Sequence, residues 1–292
     1  MTIRLLRTLV AVADHKTFSA AAKAVHVTHA AVSQQMQTLE AQLGLTLFDR
    51  SKRSPDLTPI AQQLVSKARH LVADYDDLVP SLLADGGLSG SLRLGTLRTT
   101  LTGLTPQALA QLKSAYPNIS FYIRTGLTSD LLADIARGAL DAAVVTRPHL
   151  MPLGLDFKAL TTEPLQLITA IEDTETDPLT LLSERPFIRF NRNAVLGTLI
   201  DNWLLSRRIR VTETMELDSP EAITSMVHAK LGVSIVPKLA VTPAEALPVR
   251  RIDLGADAPR REIGLAYRTD HIKQQAIDAL FEALMQVIDR DS

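Results

Sequence analysis

The stretch from residue 19 to residue 53 constrains this chain more than any other: SAAAKAVHVTHAAVSQQMQTLEAQLGLTLFDRSKR. It contains, in order, a run of small residues, a tight turn, a longer periodic segment and a basic tip. Ser19 is predicted to cap a first helix over residues 20–24, because its hydroxyl can accept a backbone N–H that a helix start leaves unbonded. Val25 and Val27 are expected to face inward across the turn.

The second helix of this pair is predicted to have one apolar side and one polar side. Thr28 stands where an N-cap is needed, and Gly44 can end the helix in a left-handed conformation. Residues at helical spacing form the apolar side: Val32, Met36, Leu39 and Leu43. The other side carries short or uncharged polar residues that can approach the edges of DNA bases: His29, Ala30, Ser33, Gln34 and Gln37.

A basic hairpin is expected after the two helices. Leu47 and Phe48 return the chain to the core, and three basic residues form the tip of the hairpin: Arg50, Lys52 and Arg53. A cap, a turn, a buried stripe and a basic hairpin in this order are typical of a winged helix-turn-helix, so double-stranded DNA is the first partner to consider. The alternative is a generic helical hairpin with a solvated basic turn.

The distribution of charge supports the DNA interpretation. The chain of 292 residues has a formal net charge of −1, which by itself does not suggest a nucleic-acid partner. However, the first 70 residues carry nine Lys or Arg and four Asp or Glu, whereas the remainder carries 22 and 28. A basic segment of this kind can bind the phosphates of DNA, and a mildly acidic body favours solubility.

Composition excludes several other classes. The chain has no cysteine, so disulfides, thiolate metal sites and thiol-based peroxide sensing are excluded. Residues 5–13 resemble a signal peptide only superficially, because Arg7 interrupts the apolar run and the apolar residues follow helical spacing. No apolar run is long enough to span a bilayer, so a cytoplasmic protein without a membrane partner is expected. No cofactor and no metal site are predicted.

A linker helix is predicted between the basic segment and the body of the chain. Its apolar residues alternate at spacings of three and four, which makes a seam for another helix: Ala61, Leu64, Ala68, Leu71, Tyr75, Leu78 and Leu82. A helix packed on its own domain remains the alternative. Pro80 is expected to kink or end this helix near Val79, before a flexible hinge at residues 85–90.

The remaining residues alternate between strand and helix signals. Helices are predicted to open at Thr105-Pro106, at Thr128 and at Ser219-Pro220, and a final amphipathic helix covers residues 272–288. Alternation of this kind predicts parallel sheets flanked by helices. The predicted strands cover residues 91–97, 119–124, 141–146, 165–170, 187–190, 211–217, 233–236 and 262–268.

Six short motifs occur in order: Ala11-Val12-Ala13, Phe18-Ser19-x-Ala21-Ala22, Ala31-Val32-Ser33, Leu39-Glu40-x-x-Leu43-Gly44, Leu47-Phe48-x-Arg50 and Leu57-Thr58-Pro59. Together they resemble the LysR-type bacterial transcriptional regulators, strongly to about Gly86 and more loosely beyond. The chain has His29-Ala30 where members often carry Gln-Ser, and Ile60-Ala61 where they usually have Ala-Gly. Later, Lys230-Leu231-Gly232 replaces the usual pair of glycines by one.

The resemblance implies a fold and a domain organisation. It implies an α-rich winged helix-turn-helix, a linker helix through which such regulators dimerise, and a two-lobed α/β effector domain with the fold of periplasmic binding proteins. Crossover strands near residues 161–163 and 264–268 would join the lobes. The expected division is 1–59 for the DNA-binding domain, 60–86 for the linker, 87–90 for the hinge, 91–162 with 266–292 for lobe one, and 163–265 for lobe two.

A ligand site is expected between the lobes. Open α/β sheets bind ligands at the carboxyl ends of strands, where helix starts offer free N–H groups. The candidates in such positions are Arg98, Thr99, Thr100, Thr128, Arg147, Phe190, Asn191 and Arg192. In similar regulators, positions like the three threonines and Arg147 hold polar groups of the effector. Three arginines would suit a carboxylate or another anion, although each alone can be a solvated loop charge.

Three functions remain open from the sequence. The leading hypothesis is a dimeric or tetrameric regulator in which residues 28–42 enter the major groove, Ser19 and Thr28 approach the duplex, and an effector alters DNA bending and contact with RNA polymerase. An enzyme is not expected, because no nucleophile elbow, P-loop, dinucleotide fingerprint or metal-ligand cluster occurs. An architectural DNA binder that needs no effector is the third hypothesis.

Overall fold

The computed structural model describes residues 1–49, 56–78, 88–242, 247–271 and 273–291. The chain forms two compact units, Met1–Ala84, here called the head, and Asp85–Ser292, here called the body. The described part of the head consists of helices and one short antiparallel hairpin: α1 (Ile3–His15), α2 (Phe18–Ala24), α3 (His29–Leu43), β1 (Phe48–Asp49), β2 (Asp56–Leu57) and α4 (Pro59–Asp77).

Helix α3 has the predicted apolar side. Val32, Met36 and Leu39 are fully buried, and Leu43 packs against the same cluster while partly exposed. The Thr28 hydroxyl accepts the N–H of Ala31 at 3.2 Å, and Gly44 ends the helix at φ 64°, so both predicted ends are confirmed. The core of the head therefore holds α3 by one side only.

The N-cap predicted for α2 is wrong. The cap is Thr17, which is extended (φ −139°) and accepts the N–H of Ala20 at 3.2 Å, whereas Ser19 lies inside the first turn and is exposed. Hydroxyl residues stand on both sides of Phe18, so either could serve as a cap by residue type. The ring of Phe18 packs edge-on against Phe48 at 5.2 Å, and the helix starts at Phe18.

The predicted seam of α4 divides into two parts. Ala61 and Ala68 are fully buried in the core of the head, so the alternative of packing on its own domain holds for this half. The described seam residues that follow are exposed: Leu71, Tyr75 and Leu78. The helix ends at Asp77 with Leu78 as its C-cap, while Pro80, Leu82 and residues 85–87 of the predicted hinge lie outside the described residues.

The body alternates strands and helices. Its elements are β3 (Gly90–Thr96), α5 (Leu104–Ala115), β4 (Ile119–Thr125), α6 (Thr128–Ala136), β5 (Ala142–Thr146), β6 (Leu155–Ala170), α7 (Pro178–Glu184), β7 (Pro186–Phe190), α8 (Val195–Ser206), β8 (Thr212–Leu217), α9 (Pro220–His228), β9 (Ser234–Pro237), β10 (Val249–Asp253), β11 (Arg260–Arg268) and α10 (Gln274–Asp291). A 3₁₀ turn, Arg98–Thr100, follows β3.

The main sheet is mixed, whereas the sequence predicted parallel sheets. Its strand order is β10-β6-β11-β5-β3-β4, with β9 also paired to β6, and β7 pairs β8 separately. Strands β3, β4 and β5 are parallel, as are β7 and β8, but β11 runs antiparallel to both β5 and β6. The reason is that β6 and β11 pass between two lobes, so they pair with each other in opposite directions.

Two apolar cores define two lobes in the body. Lobe one is the core of β3, β5, α5, α6 and α10, and lobe two is the core of β7, β9, α7, α8 and α9. Strand β6 pairs with β11 from Leu155 to Pro164 and with β9 and β10 beyond that point. Strand β11 pairs with β5 from Ile263 onward, so it crosses at residues 260–262, earlier than the predicted 264–268.

The start of α5 also differs from the prediction. The helix begins at Leu104 after Gly103, and Thr105 is not its cap. The Thr105 hydroxyl instead contacts the Thr96 hydroxyl at 2.9 Å inside the core. A Cβ at Gly103 would lie 2.6 Å from the carbonyl oxygen of Val241, so only glycine allows this helix to start so close to the loop after β9.

A buried ion pair joins the two crossing strands. Arg261 on β11 is 1% exposed, and its Nη2 lies 2.6 Å from a carboxylate oxygen of Glu163 on β6. Arg261 also donates to the Thr99 hydroxyl at 2.9 Å, and Glu163 accepts the N–H of Ala240 at 2.8 Å. Burial lowers the pKa of the Arg261 guanidinium, and the Glu163 carboxylate opposes that effect. Both charges are therefore compensated within the protein.

Replacing Thr17 by alanine is expected to destabilise the head by about 1 kcal/mol, because the Ala20 N–H loses its side-chain acceptor. The matched control, Ser19→Ala, is expected to be neutral or slightly stabilising, since alanine is the better helix former. Hydrogen exchange of peptides from residues 1–49 in the full chain measures both effects. An equal loss of protection in the two variants would contradict the assignment of Thr17 as the cap.

Replacing Glu163 by glutamine is expected to lower the free energy of unfolding of the body by about 3–5 kcal/mol, because the buried Arg261 loses its carboxylate. The control, Glu262→Gln, removes the partner of the exposed Arg147, and a loss below about 1 kcal/mol is expected. Urea unfolding followed by fluorescence of Trp203, the single tryptophan, gives both values. Similar losses in the two variants would show that the buried pair stabilises no more than a surface pair.

Candidate functional site

The first candidate site is the exposed side of α3. His29, Ala30, Gln34 and Gln37 are exposed there, and Ser33 is partly exposed. The His29 ring lies 6.1 Å from the Phe18 ring, which places the imidazole at the first turn of α3 against an anchored aromatic residue. Side-chain amides and an imidazole on one helix face can donate to and accept from base edges in a major groove.

The remaining predicted DNA contacts flank this face. Thr28 is exposed and caps α3, and Ser19 is exposed on α2. Helix α3 is fixed to α1 by the Thr8 hydroxyl, which donates to the Gln35 side chain at 2.5 Å. The carboxylate of Glu40 accepts the N–H of Leu47 at 2.8 Å and that of Phe48, the first residue of β1, at 3.2 Å. The basic residues predicted at the tip of the hairpin lie outside the described residues: Arg50, Lys52 and Arg53.

The second candidate site is a cavity of about 250 Å³ between the two lobes of the body. Lobe one contributes the turn after β3 and the start of α6, and lobe two contributes the end of β7 and the start of α8. Of the eight candidates from the sequence, the structure brings five to this cavity: Arg98, Thr99, Thr128, Phe190 and Asn191. The rule that ligand sites form at the carboxyl ends of strands therefore located this cavity.

The other three candidates are not at the cavity wall. Thr100 is buried, and its hydroxyl bonds to the Thr96 hydroxyl at 2.8 Å and to the Leu97 carbonyl. Arg147 pairs with Glu262 at 3.0 Å. The predicted group of three arginines does not form, since only Arg98 of the three lines the cavity.

Arg192 is held instead by carboxylates of lobe two. Its guanidinium pairs with Glu213 and with Glu216, at 3.2 Å in the second pair. The Arg189 guanidinium binds the same Glu213 and, together with Arg192, holds the pKa of that carboxyl below its ordinary value. These pairs engage the Nε and Nη2 atoms of Arg192 on the β7–β8 edge, and Arg192 does not line the cavity.

Three charged residues at the cavity were missed in the sequence: Asp130, Asp218 and Arg261. Asp218 follows β8 and lies 3.5 Å from the Arg98 guanidinium, so this pair connects the two lobes. Asp130 is in the first turn of α6, where a carboxylate commonly favours helix formation. Arg261 reaches the cavity only because β11 passes behind it, which no local pattern in the sequence signals.

Two helices start at the cavity without a side-chain cap. Leu127 precedes α6 and Ala194 precedes α8, and neither side chain can accept the first N–H groups. Other helices have a cap that does so, namely those after Thr17, Thr28, Thr58, Asp177 and Ser219. Free N–H groups and the positive end of a helix dipole favour an acceptor from a ligand at these two starts.

The turn that carries Asn191 is fixed by a close backbone contact. A Cβ at Gly197 would lie 2.1 Å from the Asn191 carbonyl oxygen, so only glycine permits α8 to approach this turn. The Asn191 side-chain oxygen accepts the N–H of Asn193 at 2.9 Å. Its amide nitrogen is thereby oriented as the group that can donate to a ligand.

No cluster of histidine and acidic residues that could hold a metal ion occurs among the described residues. In the same part of the chain, no helix combines the length and the apolar character needed to cross a bilayer.

Comparison with known proteins identifies the family. Residues 85–289 match the family model of the LysR substrate binding domain, and residues 3–62 match that of the bacterial regulatory helix-turn-helix protein, lysR family. The HTH-type transcriptional regulator CzcR of Bacillus subtilis (strain 168) is 28% identical over 241 residues, covering 82% of each chain. The uncharacterized HTH-type transcriptional regulator YfeR of Shigella flexneri is 28% identical over 295 residues, 97% of this chain and 93% of that protein.

Solved structures agree with this result. Full-length OxyR from Pseudomonas aeruginosa superposes with a TM-score of 0.67 at 25% identity, over 97% of this chain and 94% of that one. Full-length CbnR in complex with its target DNA superposes with a TM-score of 0.72 over the whole of both chains; at 19% identity this likeness shows the fold alone. The chain belongs to the LysR family: it is a DNA-binding transcriptional regulator with a helix-turn-helix head and a two-lobed effector-binding body.

Proposed function

We propose that this regulator reads its operator with the exposed side of α3 and responds to a small carboxylate bound between the lobes of the body. The observation that carries the first part is the asymmetry of α3. Val32, Met36 and Leu39 are fully buried on one side, and the other side presents polar groups without a desolvated charge. A helix held in this way can lie in a major groove.

The DNA contacts follow from this orientation. His29, Ala30, Ser33, Gln34 and Gln37 read or approach bases, because their side chains project from the free face. Ser19 and Thr28 approach the sugar-phosphate backbone, and three basic residues of the wing bind backbone or minor groove: Arg50, Lys52 and Arg53.

The effector is proposed to be bound through its carboxylate. Arg98 supplies a guanidinium, Thr99 a hydroxyl and Asn191 an amide, and the uncapped start of α8 supplies free N–H groups. These are donors for an anion, and they come from both lobes. The effector therefore binds more tightly to the arrangement of the lobes that brings these donors together. A ligand-driven switch requires such a difference in affinity between two arrangements.

The remaining proposals concern assembly and location. The exposed apolar residues of the second half of α4 support self-association into a dimer or a tetramer: Leu71, Tyr75 and Leu78. RNA polymerase is the proposed further partner. The proposed location is the cytoplasm. No catalytic turnover is proposed. The proposed division is 1–59 for the DNA-binding domain, 60–86 for the linker, 87–90 for the hinge, and 91–162 for the first part of lobe one. The boundary between lobe two and the second part of lobe one moves from residue 266 to residue 263, because Ile263 already pairs with β5.

Replacing Gln34 by alanine is expected to change the sequence selected from a pool of randomised DNA sites, because an amide that distinguishes bases is lost. Gln42→Ala, at the far end of the same helix, is the matched control and is expected to leave the selected motif unchanged. An unaltered motif with Gln34→Ala would show that this side chain does not read bases.

Replacing Arg98 by glutamine is expected to weaken binding of the effector about tenfold or more and to leave operator binding intact, because a charge-assisted contact is lost. Arg192→Gln is the control, since Arg192 is held by Glu213 and Glu216. Calorimetry of the full chain with monocarboxylates, dicarboxylates, aromatic carboxylates and amino acids measures affinity, and footprinting measures the response. An unchanged footprint and unchanged heat with every compound would favour an architectural DNA binder without an effector.

A further inference from the structure

The charges that face the interlobe cavity are not those of a simple anion site. Arg261 adds no net charge to the cavity, because its guanidinium forms a buried ion pair with the Glu163 carboxylate at 2.6 Å. The charges left are one guanidinium, Arg98, and two carboxylates, Asp130 and Asp218. A ligand that carried only a negative charge would therefore enter a cavity whose side chains are net negative.

The Arg98–Asp218 pair further disfavours binding of a ligand that carries only a negative charge. The two side chains lie 3.5 Å apart and belong to different lobes, and each is about half exposed. A monoanion that takes Arg98 would leave Asp218 without its partner and close to a second negative charge. Both side chains are half exposed, so loss of the pair costs little by itself, but the unpaired Asp218 would still repel the bound anion. A ligand with a positive group of its own would satisfy Asp218 as well.

Asp130 is a further acceptor for such a positive group. Its carboxylate lines the cavity, is exposed, and has no hydrogen-bond or ion-pair partner among the described residues. Two carboxylates, one from each lobe, can accept the three N–H donors of a protonated primary amine.

A buried donor in the same cavity indicates where the carboxylate of the ligand binds. Thr99 is 6% exposed, and its hydroxyl oxygen accepts a hydrogen bond from Arg261 at 2.9 Å. Among the described residues, no group accepts the hydrogen of that hydroxyl, which is free to donate into the cavity. Together with Arg98 and the uncapped start of α8, it forms a set of donors for one carboxylate.

We propose that the effector is a zwitterion with a carboxylate and a protonated amine on the same carbon, that is, a free α-amino acid. This inference rests on the proposed function of the cavity. The carboxylate contacts Arg98, Thr99 and the start of α8, and the ammonium contacts Asp130 and Asp218. The ligand thus replaces both members of the Arg98–Asp218 pair. A cavity of about 250 Å³, with Leu97 and Phe190 in its wall, has space for an apolar side chain.

The test compares amino acids with 2-hydroxy acids of the same shape: alanine with lactate, leucine with 2-hydroxyisocaproate, and phenylalanine with phenyllactate. Each pair differs only in an ammonium replaced by a hydroxyl. Calorimetry on the full-length protein is expected to give at least tenfold tighter binding of one or more amino acids than of the matched hydroxy acid. Equal or tighter binding of the hydroxy acids would overturn the proposal.

Two variants locate the ammonium site. Asp130→Asn and Asp218→Asn are expected to weaken amino-acid binding about tenfold or more and to maintain or strengthen binding of the hydroxy acid, because only repulsion is removed for the latter. Asp289→Asn, an exposed position on α10, is the matched control and is expected to change neither. Thermal unfolding of each variant excludes a general loss of structure. Equal weakening of both ligand series would assign these carboxylates no role in recognising an amine.

The outcomes separate the inference from the proposed function. A hydroxy acid or other carboxylate that binds and alters the DNA footprint, without a matching amino acid, overturns the inference and leaves the proposed function in place. Binding of no compound in either series or among the other carboxylates tested, with an unchanged footprint, overturns both.

Discussion

The ion pair between Arg261 and Glu163 is the interaction on which the body of this protein depends. It lies where two strands pass from one lobe to the other, and both partners are almost completely buried. Such a pair need not stabilise more than apolar residues of the same volume would, but losing one partner leaves an uncompensated charge in a dry interior. The pair also has a consequence for the site, since Arg261 fixes the hydroxyl of Thr99 at the wall of the interlobe cavity.

The head could be predicted from sequence because its determinants are local. The stripe on α3, its cap at Thr28 and its end at Gly44 all lie within about four turns of one helix, and the structure has each of them. The misplaced cap of α2 has an equally local origin, because Thr17 and Ser19 differ in position but not in chemistry. For α4, periodicity alone could not show that the first half is buried within the head while Leu71 is exposed.

The cavity could be predicted only in part. A general rule about strand ends found Thr99, Thr128 and Asn191, since these positions depend on where each strand stops. It could not show that Arg147 is paired with a carboxylate distant in sequence. The same rule applies to Asp218, which directly follows the predicted strand 211–217, but the sequence does not show that this carboxylate pairs with Arg98 of the other lobe. Long-range pairing therefore decides which charges remain available to a ligand, and no window of sequence contains that information.

The continuity of β6 has a mechanical consequence. This one strand of 16 residues belongs to the sheet of lobe one in its first part and to that of lobe two in its second, and β11 crosses beside it. The strands cannot lengthen, so a change in the angle between the lobes must be a rotation about the point where they cross. The cavity lies near that pivot and the outer helices lie far from it. A small rotation about this point displaces atoms in proportion to their distance from it. The outer helices therefore move farther than the walls of the cavity.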